Sequence, residues 1–148
     1  MLVRMATDQL EQVADWERQK EQKLVQDFQL AQRYADENKQ KLSGLEQYRL
    51  DYLHQAHNKA QQGVGAQTYG QHQLFIGKLD KACEQQSKVL SNALLVADQR
   101  RGQWLHQQRK RKAVEMLLDK KYRQAQKRAD QLEQQMLDEI SLQKYIRA

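Results

Sequence analysis

Apolar residues recur at alternating spacings of three and four along most of the chain. One series runs Leu24, Phe28, Ala31, Ala35, Asn38, Leu42, Leu45, Arg49, Tyr52 and Ala56. A second runs Ile76, Leu79, Cys83, Gln86, Leu90, Ala93, Ala97, Arg100, Trp104, Gln107, Arg111, Val114 and Leu118. A period near 3.5 sustained over several heptads is the mark of a coiled coil. Between the two series lies Gly63-Val64-Gly65-Ala66-Gln67-Thr68-Tyr69-Gly70, with three glycines in eight residues. Glycine is the strongest turn signal available here, and Thr68 followed by Gln71 reads as a capping box opening the next helix. The pattern predicts an all-α chain of one domain: a first helix over about 7–62, a turn over 63–70, and a longer second helix over about 69–145. The two helices fold back as an antiparallel coiled-coil hairpin.

Folding the series about the turn gives a constant sum of residue numbers. Ala56 with Ile76, Leu42 with Leu90 and Phe28 with Trp104 each sum to 132, while Leu45 with Gln86 and Tyr52 with Leu79 each sum to 131. This register sets Trp104 opposite Phe28 as an anchor and Glu21 opposite Arg111 as a register device. With Leu42 and Ile76 at heptad position a, the g positions are Tyr34, Lys41 and Tyr48 in one helix and Phe75, Ala82, Val89 and Val96 in the other. These rows share one edge, which is apolar. The opposite edge, with Lys39, Glu46, Leu53, Asp80, Ser87, Leu94 and Arg101, is mostly polar. A two-helix hairpin has no further layer to cover an apolar edge, so that edge is expected to bind another protein or, in the alternative reading, a second copy.

Beyond Leu118 the stripe shifts by one residue and continues as Tyr122, Ala125, Ala129, Leu132, Met136 and Ile140. Such a shift is a local change of supercoil. The first helix runs out opposite about Ala125–Ala129, which leaves Leu132, Met136 and Ile140 without an intrachain partner. They read either as a docking surface or as a frayed tail.

Composition narrows the class. Of 148 residues 39% are hydrophobic, 30% charged and none is proline. So polar a chain cannot build a thick core but can bury one narrow seam. Cys83 is the one cysteine, so no disulfide forms within the chain, and a reducing, cytoplasmic compartment is expected. The first ten residues lack the apolar run of a signal peptide. The net charge of +6 is uneven: between Gln99 and Arg128 eleven bases face only Glu115 and Asp119, a local +9 that leaves −3 elsewhere. An acidic partner surface or a nucleic acid would answer it.

Chemistry finds little support in the sequence. His54 and His57 are spaced like ligands on one helix turn, but no Cys or carboxylate cluster completes a metal site. Cys83 falls on the seam with no activating base beside it. The glycine turn lacks the Lys and Ser/Thr of a phosphate loop, and a two-helix hairpin offers no pocket for an acid–base pair. The 27 glutamines are dispersed on polar heptad positions. The +9 segment could grip phosphates, yet its Trp104 and Tyr122 are expected on the seam and so unavailable to stack on bases.

The stretch Leu45-Glu46-Gln47-Tyr48-Arg49-Leu50-Asp51-Tyr52, the glycine turn, and Phe75-Ile76-Gly77-Lys78-Leu79-Asp80-Lys81-Ala82 resemble the flagellar FliJ family. Length, turn position and heptads match over nearly the whole chain, and the specific residues lie between Leu45 and Gln86. The resemblance implies a non-enzymatic cytoplasmic component of the flagellar type III protein export apparatus, at the inner-membrane base of the flagellum. It implies a hairpin similar to the stalk of rotary ATPases, seated in the hexameric export ATPase ring and promoting its assembly. The implied partners are that ATPase, the membrane export gate protein FlhA and export chaperones. Contact with the membrane would come only through proteins, and no cofactor, metal or small-molecule substrate is implied. Carried onto this sequence, the gate-binding cluster is Leu45, Tyr48, Tyr52, Phe75, Leu79 and Ala82. Lys41 and Gln86 stand at two further positions of it and depart in residue type. The stalk likeness directs the end bearing both termini into the ring, with Arg109, Lys110, Arg111, Lys112, Leu132, Met136 and Ile140 as the ATPase-binding residues. The stalk protein of a virulence type III secretion system and a basic coiled-coil nucleic-acid-binding protein are the alternatives.

Overall fold

The computed structural model describes the backbone of residues 2–147 and the side chains of residues 7–147. Two helices account for nearly all of it: α1 over Leu2–Gln61 and α2 over Ala66–Arg147. They form an antiparallel coiled-coil hairpin with the second helix the longer.

The turn is shorter than the glycine pattern predicts. Gly63 takes φ +83°, the left-handed conformation that ends helices and that glycine adopts without a Cβ penalty. Gln62 and Gly63 donate their N–H groups to the carbonyls of Lys59 and Ala60 and so close α1. The Tyr69 N–H donates to the Gly65 carbonyl at 3.1 Å, making Gly65 the first acceptor of α2. The second helix thus starts at Ala66, Thr68 lies within its first turn, and the expected capping box is not its opening.

The same difference moves the register. Helix ends at 62 and 69 sum to 131, whereas the observed ends Gln61 and Ala66 sum to 127. Cross-helix bonds follow the shorter turn. Asn38 meets Gln86, Glu17 meets Gln107 and Tyr52 meets His72, each pair summing to 124. Glu21 meets Arg111, summing to 132 as expected. Pairs of d positions therefore lie one turn to one side of level and pairs of a positions one turn to the other. Gln86 reaches Asn38 in place of Leu45. A short turn fixes the axial offset, which heptad spacing alone leaves free.

The chain divides into two compact units. The turn unit, residues 24–103, has a seam that is mostly apolar and close-fitting. Ala35, Leu79, Ala93 and Ala97 are buried in it, and Leu42, Leu45, Ile76, Cys83 and Leu90 are half-buried. Alanine lets two helices approach closely. One polar layer interrupts this seam: Gln86 Nε2 donates to the Asn38 carbonyl and to Asn38 Oδ1 at 3.1 and 2.9 Å, while Asn38 Nδ2 donates to the Tyr34 carbonyl at 2.8 Å. Arg100 leaves the expected seam. It is exposed and bonds Gln103 on its own helix, since a long cation gains more from water than from an alanine-lined contact.

The termini-bearing unit, residues 1–23 and 104–148, has a seam built on polar bonds. Ala14 and Leu118 are buried, but so are Glu17 and Gln107, where Gln107 Nε2 donates to the Glu17 carbonyl at 3.1 Å and to its carboxylate. Tyr122, expected on the seam, is exposed. Every residue from 126 to 147 is exposed.

Candidate partner-binding surfaces

The apolar edge predicted from the g positions exists in the turn unit. Tyr48 and Phe75 pack edge to face, with ring centroids 6.4 Å apart and planes at 80°. Tyr52 lies 4.6 Å from Phe75, and its hydroxyl meets His72 Nδ1 at 2.5 Å. Three rings thus brace one another across the two helices. Edge-to-face pairs contribute about 0.5–1.5 kcal/mol beyond the area they bury, so the cluster is a preformed platform. Further along, Ala31, Tyr34, Val89, Asn92, Ala93 and Val96 line an apolar groove on the same edge. Tyr34, Tyr48, Val89 and Val96 are all exposed.

The six residues expected to contact the gate differ in depth. Tyr48 is 53% exposed. Leu45, Tyr52, Phe75 and Ala82 are half-buried, and Leu79 is 7% exposed, a buried seam residue. Lys41 is exposed beside them, while Gln86 is engaged with Asn38. The site residue missing from the predicted seam is His72. It lies one step before Ile76 on the same three-and-four spacing, a d position whose bond to Tyr52 depends on the register.

The opposite edge of this unit is held by the Arg49–Asp80 ion pair. Beside the turn, Leu53, Ala56, His57, Val64, Tyr69, His72 and Ile76 line a pocket, and His72 Nε2 is buried at its wall with no partner.

In the termini-bearing unit charge dominates. Arg111 Nε and Nη2 donate to the Glu21 carboxylate at 2.5 and 3.2 Å, and Nη1 donates to Glu115 at 2.8 Å. Arg18 Nε reaches the other Glu115 oxygen at 2.8 Å, and Arg18 Nη1 reaches Asp15 at 2.7 Å. This chain of alternating charges links the two helices. Hydrogen bonds from Arg111 and then Arg18 hold the Glu115 carboxyl below the usual carboxylate range, and the Glu21 and Glu115 carboxylates push the Arg111 guanidinium further up. Arg111 is therefore a register residue, 22% exposed along its side chain. Its neighbours Arg109, Lys110 and Lys112 are exposed. Of the apolar residues assigned to the same surface, Leu132, Met136 and Ile140 are all exposed. On α1, Trp16 is exposed and covered by Lys20, whose Nζ sits 3.5 Å from the ring centroid.

Among the described residues, no group of three His, Cys, Asp or Glu side chains is placed to hold a metal ion. Nor is any helix among them long and apolar enough to cross a membrane. Two long helices joined by a glycine turn, with two contrasting exposed surfaces, define a helical-hairpin protein. The chain belongs to the flagellar FliJ protein family, whose model matches residues 5–148. Members of that family are components of the flagellar protein export apparatus. Neither a curated relative nor a solved structure matches the chain.

Proposed function

We propose that this protein is a non-enzymatic stalk and adaptor of the flagellar export apparatus, with a separate partner surface on each unit. The turn unit binds the export gate protein FlhA through Tyr48 and Phe75, supported by Tyr52, Leu45, Leu79 and Ala82. The termini-bearing unit binds the hexameric export ATPase through Arg109, Lys110 and Lys112 together with Leu132, Met136 and Ile140. Arg111 fixes the helix register beneath them. Export chaperones are further partners in this reading, and the protein works in the cytoplasm at the inner-membrane base of the flagellum, reaching the membrane only through proteins.

The observation that carries the proposal is the preassembled cluster of exposed Tyr48 with half-buried Phe75 and Tyr52 on one edge of the turn unit. Rigid aromatic anchors at the centre of an exposed patch are what interface hot spots are made of. A pull-down with the cytoplasmic part of the gate protein tests it. The Tyr48→Ala/Phe75→Ala double variant, with helicity intact, is expected to lose more than about tenfold in affinity. Undiminished binding would remove this edge from the gate.

A further inference from the structure

The C-terminal part of α2 carries a second pattern, one of charge. Residues 119–128 hold Lys120, Lys121, Arg123, Lys127 and Arg128 against Asp119, a net +4. Residues 130–139 hold Asp130, Glu133, Asp138 and Glu139 and no base, a net −4. Between the two blocks stands Ala129, and Tyr122, Ala129, Leu132, Met136 and Ile140 are exposed at helical spacing along the same segment. A helix whose halves are equal and opposite in charge about a small residue is complementary to itself when turned end for end.

We infer that a second copy of this chain docks here, as an antiparallel two-fold pair of α2 segments centred on Ala129. A two-fold interface is isologous: whatever residue i meets in residue j, j meets in i. About Ala129, Tyr122 of one copy lies level with Met136 of the other and Ala129 with itself, while Ala125 and Leu132 come within one residue of level, so the stripe packs against its own image. Arg128 comes level with Asp130 and Lys120 with Asp138. Each +4 block faces a −4 block, twice. Ile140 comes level with Leu118, which is already buried within its own protomer, and so marks the rim of the contact.

Charge also selects this centre over the obvious rival. A pair centred on Met136, in the middle of the fully exposed stretch, would set Glu133 against Glu139 and Arg128 against Lys144. Like charges placed opposite one another in a contact are penalised.

The test is a charge swap read by sedimentation velocity on the full-length chain, across a concentration series at low and high salt. Wild type is expected to dimerise at low salt and to weaken as salt rises. Lys120→Glu/Lys121→Glu and, separately, Asp138→Lys/Glu139→Lys are each expected to weaken self-association by more than about tenfold. An equimolar mixture of the two variants is expected to restore the dimer, because both two-fold-related contacts again pair opposite charges. Restoration also shows that each variant is folded. A monomeric wild type at low salt, or a mixture no more associated than its components, overturns the inference. As a second readout, Cys83→Ser/Ala129→Cys is expected to cross-link to a covalent dimer on oxidation, since residues on the two-fold meet each other. Failure to cross-link while the dimer persists overturns the Ala129 centre. None of these readouts involves the ATPase or the gate protein, so a failed dimer leaves the export reading standing, whereas a dimer covers Leu132, Met136 and Ile140 and competes with the ATPase contact proposed for them.

Discussion

The two units solve the same packing problem with different chemistry. In the turn unit the helices meet through Ala35, Ala93, Ala97 and Leu79, with one polar layer at Asn38 and Gln86. In the termini-bearing unit they meet through Glu17, Gln107, Glu21 and Arg111, with Ala14 and Leu118 as the buried apolar residues. An apolar seam is held by burial and insensitive to salt. A polar seam gains less stability, because desolvating a charge offsets much of the attraction it finds, but it penalises wrong registers strongly. The difference extends outward: aromatic rings stand on the edge of one unit, while exposed bases and an exposed helix carrying an apolar stripe stand on the other. A protein with two partners of unlike chemistry would need such a division.

Four perturbations separate the units, in order of falling effect. Leu79→Ala removes a buried side chain from the apolar seam and is expected to cost about 2–3 kcal/mol, at the lower end for such sites because a two-helix seam can partly collapse. Thermal unfolding by circular dichroism measures it. Arg111→Ala takes the cross-helix partner from Glu21 and leaves Glu115 with Arg18, and is expected to cost about 1–3 kcal/mol. Replacing Arg111 and Glu21 together by leucine is expected to recover that loss. If the single and double variants are equally unstable, the ion pair is not what holds the termini-bearing unit in register.

Acid provides a perturbation without mutation. The folded Glu115 carboxyl titrates below its unfolded value, held there by Arg111 and Arg18. Its contribution is therefore complete above the unfolded value, near pH 4.3 for glutamate, and is lost as pH falls through the lower folded value. Hydrogen exchange across that window is expected to open residues 104–118 before residues 76–97, and Glu115→Gln is expected to flatten the dependence. Smallest is the effect of Tyr48→Ala on stability, less than about 1 kcal/mol, since the ring is half in water and forfeits mainly its contact with Phe75. A larger loss would make Tyr48 a structural residue and weaken its claim as a contact.

How much of this was legible in the sequence follows from what each feature depends on. Heptad spacing reports which side of a helix meets its partner. It therefore picked out Ala35, Asn38, Leu79, Ala93, Ala97, Gln107 and Leu118, all of which are buried. Spacing carries no information on axial offset. That offset depends on the residue at which the helix closes, and a glycine cluster marks a turn without saying which glycine takes φ +83°. Gly63 does, Gly65 becomes the first acceptor, and Gly70 falls inside α2. One misplaced helix start thus accounts for both the overlong turn and the displaced partners of Gln86 and Tyr52. Arg100 and Tyr122 satisfied the spacing and yet lie exposed, because long amphipathic side chains on a seam position can turn outward to water. The apolar edge was legible because it follows from the period alone. The depth of each residue within it was not, since only packing distinguishes the buried Leu79 from the exposed Tyr48.

Whether two surfaces on two units serve two partners is decided by a reciprocal binding matrix. Wild type, Tyr48→Ala/Phe75→Ala and Arg109→Glu/Lys110→Glu/Lys112→Glu would each be titrated with the gate protein's cytoplasmic part and with the export ATPase. The aromatic variant is expected to lose the gate and keep the ATPase, and the charge-reversed variant to do the opposite, with its loss mimicked in wild type by added salt. Helical variants that lose both partners together, or neither, would contradict the two-surface division.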